Sequence, residues 1–202
     1  TRTDPVFNPA PDEDQVEVAR VAAVPHPWFK ADIPVAVAIA RLEASKDYPT
    51  MLRAMARLGG QLRLIILGEG SQRTAIEELI NELGLSDTVA LVGFQKNRFD
   101  YLVRARVFIL SSVREGFPNA LLEAVTFGVP CVSTECAGGG PAELLGRDFP
   151  ELIVPPGDDK ALANAIAAVL DRSPQLEGFK ELAAQYSLDR MTRRFLDALE
   201  VR

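Results

Sequence analysis

The sequence has few of the residues that usually build metal and disulfide frameworks. It contains two cysteines, Cys131 and Cys136, and a single histidine, His26, which lies between two prolines. Two cysteines are too few for a disulfide framework, so we expect both thiols to stay reduced. We predict no metal site, and we expect a packing or solvent role for the histidine instead of catalysis.

Long apolar runs and clusters of positive charge are also missing. No apolar stretch approaches the roughly 20 residues that cross a bilayer, and the amino terminus has no signal-peptide pattern. The net charge is -6 and no tract is rich in Lys or Arg, which argues against nucleic acid or an anionic membrane as the main partner. We therefore expect a cytoplasmic protein with no nucleic-acid partner and no integral membrane segment.

What the sequence does contain is enough apolar residues for one substantial core. Of its 202 residues, 48% are hydrophobic and 25% are charged, which is typical of a soluble globular domain. Residues 1–34 hold six of the fourteen prolines, and we interpret them as a lead-in or interdomain segment. We predict one domain over residues 35–172 and further helices over residues 173–202.

Strand-like runs alternate with helical runs across the predicted domain. Continuous Val/Ile/Leu strands between helices are typical of a parallel sheet covered on both faces, so we predict an α/β, Rossmann-like, doubly wound sheet of about six strands. The predicted strands are Val35 to Ala40, Leu62 to Leu67, Thr88 to Val92, Val107 to Leu110, Pro130 to Thr134 and Glu151 to Val154. The predicted helices are Tyr48 to Leu58, Ser71 to Leu83, Phe99 to Arg104, Asn119 to Phe127, Pro141 to Leu145, Asp158 to Leu170, and one or two more within Glu177 to Arg202, with an apolar stripe of Leu188, Met191, Phe195 and Leu199.

The most informative segment is Glu115-Gly-Phe-Pro-Asn-Ala-Leu-Leu-Glu123, in which two carboxylates bracket a turn. It follows a strand-like run and leads into a helical one, so Glu115 falls in a strand-to-helix crossover. In doubly wound sheets, ligands bind outside the carboxyl ends of the strands. The first glutamate is therefore placed where such a ligand would lie.

A helix that begins near Pro118 and Asn119 suits an anion. Proline is compatible with a first helical turn and asparagine is a favoured cap. We expect the backbone N–H groups of Asn119, Ala120 and Leu121 to remain free, and a diphosphate fits such a helix terminus.

Glu123 interrupts an apolar run one turn further along this helix. A buried carboxylate needs hydrogen-bond donors, and ribose hydroxyls would supply them. Equally, it could be a solvent-facing acid that the helix dipole favours in a first turn. The spacing alone leaves both interpretations open.

Arg41 and Lys46 lie five positions apart in the loop after the first predicted strand. Two cations could clamp one diphosphate, since a charge-assisted hydrogen bond contributes about 1.5–3 kcal/mol and stabilises a leaving group that gains charge. The alternative is a pair of surface cations, one of them paired with Glu43 or Asp47.

Glycines follow three of the predicted strands, in Gly68-Glu-Gly70, Gly93-Phe-Gln95 and Gly138-Gly-Gly-Pro141. Glycine permits close approach of a ligand but is also common in turns, so each loop alone is weak evidence. The first of them lacks the third glycine of a dinucleotide fingerprint. This absence makes a dehydrogenase a less favoured interpretation.

Together these residues resemble the retaining glycosyltransferases of family 4, whose GT-B fold has two Rossmann-like halves facing each other across a cleft. The match runs from about Asn8 to about Leu170, and it looks like the carboxyl-terminal, nucleotide-sugar-binding half. Beside the glutamate pair, which is specific to that family, the supporting segments are Ala40-Arg-Leu through Lys46, Leu67-Gly-Glu-Gly70, Leu91-Val-Gly-Phe94 with Asn97, Gly128-Val-Pro130, Gly139-Gly-Pro141 with Glu143, and Val154-Pro-Pro-Gly-Asp158.

The resemblance implies a role for each matching residue. Its catalytic residues would be Arg41, Lys46 and Glu115. The residues binding the nucleotide sugar would be Gly68, Phe94, Gln95, Phe117, Pro118, Asn119, Ala120, Leu121 and Glu123. The two cations would hold the departing diphosphate, and Glu115 would contact hydroxyls of the donor sugar. Glu123 would bind the ribose, while the backbone at Phe94 and Gln95 would meet the base edge.

The implied reaction transfers a hexose or N-acetylhexosamine with retention, from a nucleoside-diphosphate sugar that we expect to be UDP-linked. It needs no cofactor and no catalytic metal. The acceptor would be a glycan or a lipid-linked glycan in polysaccharide biosynthesis, at the inner face of the membrane. It would be held by an amino-terminal half that these residues do not include, so we expect the isolated chain to be inactive.

Two departures and two rival functions qualify this resemblance. Asp47 stands where a glycine commonly follows the family lysine, and Arg98 stands where a proline often follows the asparagine. Asp47 would place an acid near Lys46 and weaken phosphate affinity. The rivals are half of a nucleotide-sugar epimerase, which should lack the Arg41, Lys46 and Glu115 constellation, and a non-catalytic nucleotide-binding module.

Overall fold

The fold is a single six-stranded parallel sheet, described by a computed structural model for residues 7–171 and 176–200. The strand order is β3-β2-β1-β4-β5-β6. The strands are β1 Val35–Ile39, β2 Arg63–Leu67, β3 Val89–Gly93, β4 Val107–Leu110, β5 Cys131–Thr134 and β6 Ile153–Val154. The order reverses between β1 and β4, so the crevice expected at such a switch point lies beside the loops that follow these two strands.

Helices connect the strands and cover both faces of the sheet. They are α1 Glu13–Val21, α2 Tyr48–Arg57, α3 Arg73–Glu82, α4 Arg98–Leu102, α5 Asn119–Thr126, α6 Gly140–Leu145, α7 Asp159–Asp171, α8 Leu176–Ala184 and α9 Leu188–Glu200. Short 3-10 turns occupy Pro27–Lys30, Ala44–Lys46 and Pro150–Leu152. The prediction of a doubly wound sheet of about six strands is confirmed.

The predicted bounds of β6 differ most visibly from the observed ones. The strand was expected from Glu151, but it begins at Ile153 because Pro150 opens a 3-10 turn that includes Glu151 and Leu152. Proline favours the first position of a helical turn and cannot donate to a strand ladder. The part of the last predicted segment beyond Glu200, and residues 172–175 near the predicted domain boundary, lie outside the described residues.

Two apolar layers fill the space between sheet and helices. Alternation along β2 illustrates them: Ile66 packs in the layer with α2, α3 and α7, whereas Ile65 packs in the layer with α5 and α8. Both side chains are completely buried, and each such burial contributes at most about 1.5–3 kcal/mol. Because both faces are covered, the ends of the strands are the places where a ligand can approach.

The apolar stripe predicted on the final helix, α9, is only partly buried. Met191 is buried, but Leu188, Phe195 and Leu199 are 62%, 52% and 53% exposed. Three of its four side chains therefore lie at the surface of the described chain. None of the described helices is both long enough and apolar enough to span a membrane.

Candidate functional site

The loops that follow β1 and β4 are fastened to each other at the carboxyl end of the sheet. The backbone N–H of Val113 donates to the carbonyl of Ser45 at 2.9 Å. The Ser111 hydroxyl donates to the carbonyl of Lys46 at 2.7 Å. Both bonds come from the first residues after β4, so the position of Lys46 is set by the neighbouring loop as well as by its own.

The two loops bring two of the three predicted catalytic residues, Lys46 and Glu115, into contact. The Lys46 Nζ lies 2.6 Å from Glu115 Oε1, and the Ser112 hydroxyl donates to the same oxygen at 2.8 Å. The side chains of the lysine and the glutamate are only 16% and 13% exposed. Among the described residues, Oε2 of Glu115 has no hydrogen-bond partner, so this oxygen can accept from a ligand hydroxyl.

The glycine-rich loop after β5 supports the backbone of Glu115. The Glu115 N–H donates to the carbonyl of Ala137 at 2.9 Å, and the Ala137 N–H donates to Val113 at 3.1 Å. At Gly138, φ is +106° and a Cβ atom would lie 1.9 Å from the Glu115 carbonyl oxygen. A side chain at this position would therefore push the two loops apart.

Gly68 has a similar packing reason to be glycine. Its φ is +151°, and a Cβ atom there would lie 1.9 Å from the carbonyl oxygen of Ala40. The same carbonyl accepts from the Tyr48 hydroxyl at 3.1 Å. Burial, assisted by the Glu115 carboxylate, raises the pKa of the Tyr48 phenol well above its usual value, so this hydroxyl stays a neutral donor. Contact between Gly68 and a ligand stays a prediction.

Arg41 does not join the pair of Lys46 and Glu115. Its Nη1 lies 2.7 Å from Oε1 of Glu43, and its side chain is 77% exposed. Of the two alternatives, a surface cation paired with Glu43 therefore describes Arg41 as it stands, while Lys46 is largely buried in the site. A catalytic role for Arg41 stays a prediction and requires the side chain to leave Glu43.

The amino end of α5 offers two of the three N–H groups expected there. The Leu121 N–H donates to the carbonyl of Pro118 at 2.9 Å, so the expectation that it remains free is wrong. The cause is a tightened first turn, because Pro118 is the N-cap and supplies no side-chain acceptor. Within the described residues, the N–H groups of Asn119 and Ala120 have no partner. These two can still face an anion.

Side chains around this turn are held by packing. Phe117 stacks on Phe7 with 4.1 Å between ring centroids and an interplanar angle of 20°, and it lies 5.3 Å from the ring of Tyr186. Asn119 accepts a hydrogen bond from the Asn8 side chain at 3.1 Å. The segment before β1 and the residues just after α8 therefore fix the turn that carries the helix terminus. Ligand contacts by Phe117, Pro118 and Asn119 stay predictions.

Glu123 is neither exposed to solvent nor without a protein partner. Arg98 binds it through two hydrogen bonds, Nε to Oε2 at 2.9 Å and Nη2 to Oε1 at 2.7 Å. The glutamate side chain is 12% exposed and that of the arginine is 39% exposed. These hydrogen bonds raise the pKa of the Arg98 guanidinium. Sequence reasoning missed this contact; the only signal was an arginine where the family often has proline.

The loop after β3 presents the two residues predicted to meet a base. Phe94 is 76% exposed, and the Gln95 side chain donates to the carbonyl of Val92 at 2.8 Å. The glutamine therefore stiffens its own loop, while the phenyl ring stands in the open. Contact of either residue with a base stays a prediction.

The unusual Asp47 has a structural explanation. Its φ of +46° and ψ of +50° are left-handed, a conformation that glycine adopts most readily and aspartate tolerates better than most residues. Its carboxylate caps α2 by accepting from the Thr50 N–H at 3.3 Å and from the Thr50 hydroxyl at 2.6 Å. The carboxylate is thus occupied by the helix end. Whether it weakens phosphate affinity stays a prediction.

The cysteines and the histidine are part of the packing. Cys131 and Cys136 are unpaired thiols and buried, and burial raises the pKa of both. The His26 Nδ1 accepts from the Trp28 N–H at 3.3 Å. Burial, followed by the nearby Arg63 charge, lowers the pKa of this imidazole.

Comparison with known proteins identifies the family. The model of the family "Glycosyl transferases group 1" matches residues 27–186. An N-acetylgalactosamine-N,N'-diacetylbacillosaminyl-diphospho-undecaprenol 4-alpha-N-acetylgalactosaminyltransferase of Campylobacter jejuni is 32% identical over 73% of this chain and 40% of that protein. The lipopolysaccharide core biosynthesis glycosyltransferase LpsE of Rhizobium meliloti is 32% identical over 84% of this chain and 50% of that protein. The chain spans half the length or less of these two curated relatives.

Solved structures show the same fold. A structure of Anabaena HepE in complex with UDP and glucose superposes with a TM-score of 0.80 at 18% identity, covering 97% of this chain and 55% of that one. The apo form of the lipopolysaccharide outer core galactosyltransferase WaaB gives a TM-score of 0.75 at 22% identity, with coverage of 98% and 55%. The resemblance to GT-B glycosyltransferases is confirmed, whereas the retaining mechanism and membership of family 4 stay predictions. The chain therefore belongs to the group 1 glycosyl transferases, and its sheet fits the carboxyl-terminal half of an enzyme with the GT-B fold.

Proposed function

We propose that this chain is the donor-binding half of a retaining glycosyltransferase, which transfers a hexose or N-acetylhexosamine from a UDP-sugar to a glycan or lipid-linked acceptor. The observation that carries the proposal is the largely buried pair of Lys46 and Glu115, 2.6 Å apart where the loops after β1 and β4 meet. One relative named as an N-acetylgalactosaminyltransferase acting on a diphospho-undecaprenol-linked sugar, another named for lipopolysaccharide core biosynthesis, and a HepE structure in complex with UDP and glucose support it.

The diphosphate would lie between Lys46 and the start of α5. The lysine ammonium has three donors and needs only one for Glu115. The N–H groups of Asn119 and Ala120 add fixed partial positive charge at the helix terminus. Arg41, released from Glu43, would close the site from the solvent side. These groups stabilise the charge that develops on the leaving phosphate oxygen, with no metal required.

The donor sugar would lie against Glu115. Its Oε2 is the acceptor for a sugar hydroxyl, and its negative charge favours the positive charge that builds at the anomeric carbon. The bond between this carbon and the phosphate oxygen breaks while the acceptor oxygen bonds on the same face. The departing diphosphate takes the proton of the acceptor hydroxyl. Configuration is then retained, and Glu115 acts as a positioner and charge stabiliser.

The nucleoside would extend from the diphosphate towards β3. Glu123, on the same helix as the phosphate-binding N–H groups, would accept from the ribose hydroxyls. The backbone at Phe94 and Gln95 would meet the edge of the base, and the exposed phenyl ring of Phe94 offers a surface for stacking.

The acceptor would be bound elsewhere in a longer enzyme. The chain covers only about half of its relatives, and the acceptor half faces the donor half across a cleft in the GT-B fold. We therefore propose that the isolated chain binds nucleotide weakly and transfers no sugar. In the complete enzyme, a lipid-linked acceptor would place the reaction at the cytoplasmic face of a membrane.

Isothermal titration of this chain with UDP, UDP-sugars, ADP, GDP and uridine tests the donor site. We expect UDP to bind most tightly, and Lys46→Ala to weaken UDP by about tenfold while leaving uridine unchanged, since only UDP carries the diphosphate. Glu123→Ala should weaken UDP and uridine alike.

A matched control is Arg57→Ala, which removes a guanidinium paired with Asp159 between α2 and α7, helices that carry none of the candidate side chains. It should leave the affinity for UDP unchanged. Equal loss of UDP and uridine in Lys46→Ala would contradict the diphosphate assignment. Sugar transfer by the isolated chain would contradict the assignment as a donor-binding half.

A further inference from the structure

Arg98 links the connection after β3 to helix α5, and both of these carry residues of the candidate site. It is the first residue of α4, in the connection that follows β3, and it reaches Glu123 on α5. The contact is a bidentate fork: two nitrogens of the guanidinium donate to the two carboxylate oxygens at 2.9 and 2.7 Å. Such bidentate geometry fixes the plane of a carboxylate as well as its position.

The fork leaves the carboxylate able to accept more. An ionised carboxylate offers about four lone-pair directions, two on each oxygen. Arg98 occupies one direction on Oε2 and one on Oε1. Within the described residues, the Glu123 side chain has no other hydrogen-bond partner. Two directions remain, which equals the number of neighbouring hydroxyls on a ribose.

The arginine is itself held in place. Its Cζ lies 4.6 Å from the centroid of the Phe99 ring, a distance suited to a cation–π contact. Phe99 in turn packs against Phe127 with 5.0 Å between ring centroids. Because Phe127 follows α5, the arginine, its ring support and Glu123 form one connected unit. The fork is therefore pre-organised before any ligand arrives.

We propose that Arg98 is a positioning residue that aims the Glu123 carboxylate at both ribose hydroxyls, and that it makes this site discriminate ribonucleotides from 2'-deoxyribonucleotides. This inference rests on the proposed function, because it requires a nucleoside diphosphate with its ribose at Glu123. Arg98 stays on the carboxylate when nucleotide binds, so the ribose shares the carboxylate with it. A proline at this position could hold neither the plane nor the charge of the glutamate.

Titration calorimetry with UDP and 2'-deoxy-UDP tests the proposal on the full chain, on Arg98→Ala and on Arg98→Lys. We expect the wild type to bind UDP about tenfold more tightly than 2'-deoxy-UDP, as expected for one lost hydrogen bond to a charged group. In Arg98→Ala the affinity for UDP should fall by about tenfold while that for 2'-deoxy-UDP changes little, so the ratio approaches one. Lysine restores charge without the fork, so Arg98→Lys should regain affinity but little discrimination.

Arg57→Ala is again the matched control, because it breaks an arginine–carboxylate contact between two other helices, and it should keep the wild-type ratio. If Arg98→Ala weakened the binding of UDP and of 2'-deoxy-UDP equally, the proposal would be overturned, since the loss of a merely structural arginine would have that effect. If Arg98→Ala does not fold, Arg98→Lys decides: an unchanged ratio overturns the proposal and a reduced ratio supports it. Absence of any UDP binding by the wild type would overturn the proposed function as well, whereas binding with an unaltered ratio in the variants overturns this inference alone.

Discussion

The two glutamates that bound one nine-residue segment are held in different ways. Glu115 meets the single ammonium of Lys46 and one serine hydroxyl. Glu123 meets the planar fork of Arg98. A lysine is a compact point charge on a flexible stem, while an arginine fork is directional. The ammonium of Lys46 can hold Glu115 and still donate to a phosphate, whereas the fork of Arg98 keeps the Glu123 carboxylate in a fixed plane.

Burial sharpens the contrast. The two carboxylates are almost equally covered, at 13% and 12% exposed, but Lys46 is 16% exposed and Arg98 is 39% exposed. An ion pair shielded on both sides depends strongly on each partner, while a pair with a half-exposed cation is screened by water. The energetic coupling within the two pairs should therefore differ, even though their distances are similar.

The largest expected effect is on the Lys46 side. Lys46→Met should lower the free energy of unfolding by about 2–3 kcal/mol, because it leaves a mostly buried carboxylate with only a serine donor. Adding Glu115→Gln should recover part of this loss, giving a coupling energy of about 2 kcal/mol in a double-mutant cycle. Urea unfolding of the four proteins measures it. Additive losses from the two single changes would show that the pair is not coupled.

Asp47 affects the same side of the comparison through the backbone. Asp47→Ala should cost about 1–2 kcal/mol, because alanine loses the cap on Thr50 and is strained at a φ of +46°. Asp47→Gly loses the same cap but relieves the strain, so its stability should stay within about 0.5 kcal/mol of the wild type. Thermal and urea unfolding would compare the two variants. Equal destabilisation by both would mean that the left-handed turn carries no strain.

The second glutamate pair should show a weaker coupling. A double-mutant cycle with Arg98→Met and Glu123→Gln should give about 1 kcal/mol, since Arg98 is partly exposed but binds with two well-formed bonds. The measurement is again urea unfolding. A coupling energy larger than that between Lys46 and Glu115 would reverse the comparison and show that geometry outweighs burial.

The fold could be predicted because its signals are local and repeated. Each strand is a short continuous apolar run, and each helix has a period and an end that the residues themselves specify. The start of β6 was misplaced because Glu151 and Leu152 satisfy a strand pattern while Pro150 starts a turn. The turn depends on one residue, Pro150, whereas the strand prediction rests on the pattern of several residues and therefore carries more weight.

The site could be predicted only in part, for a physical reason. Lys46 and Glu115 meet because parallel strands that neighbour each other deliver their following loops to one edge. The contact from Arg98 to Glu123 depends on the relative orientation of α4 and α5, which no spacing in the sequence encodes. The free N–H expected at Leu121 was lost to a tighter first turn, a choice set by Pro118 as cap.

Arg41 should have the smallest effect on stability and still report on the site. With its side chain 77% exposed and paired to Glu43 two residues away, Arg41→Ala should change the free energy of unfolding by less than about 0.5 kcal/mol. The affinity of Arg41→Ala for UDP should nevertheless fall by about three- to tenfold, because a phosphate contact is lost. The fall is modest because in the wild type the guanidinium must leave Glu43 to reach the phosphate.

Glu43→Gln is the matched variant for Arg41, since it weakens the hold on the guanidinium without removing the guanidinium itself. UDP titrations should show a modestly tighter complex for Glu43→Gln and a weaker one for Arg41→Ala. If both variants bind UDP as the wild type does, Arg41 remains a surface cation, and the diphosphate is held from the β1 side by Lys46 alone. In that case the ammonium of Lys46 binds the phosphate, while the guanidinium of Arg98 only fixes the plane of the Glu123 carboxylate.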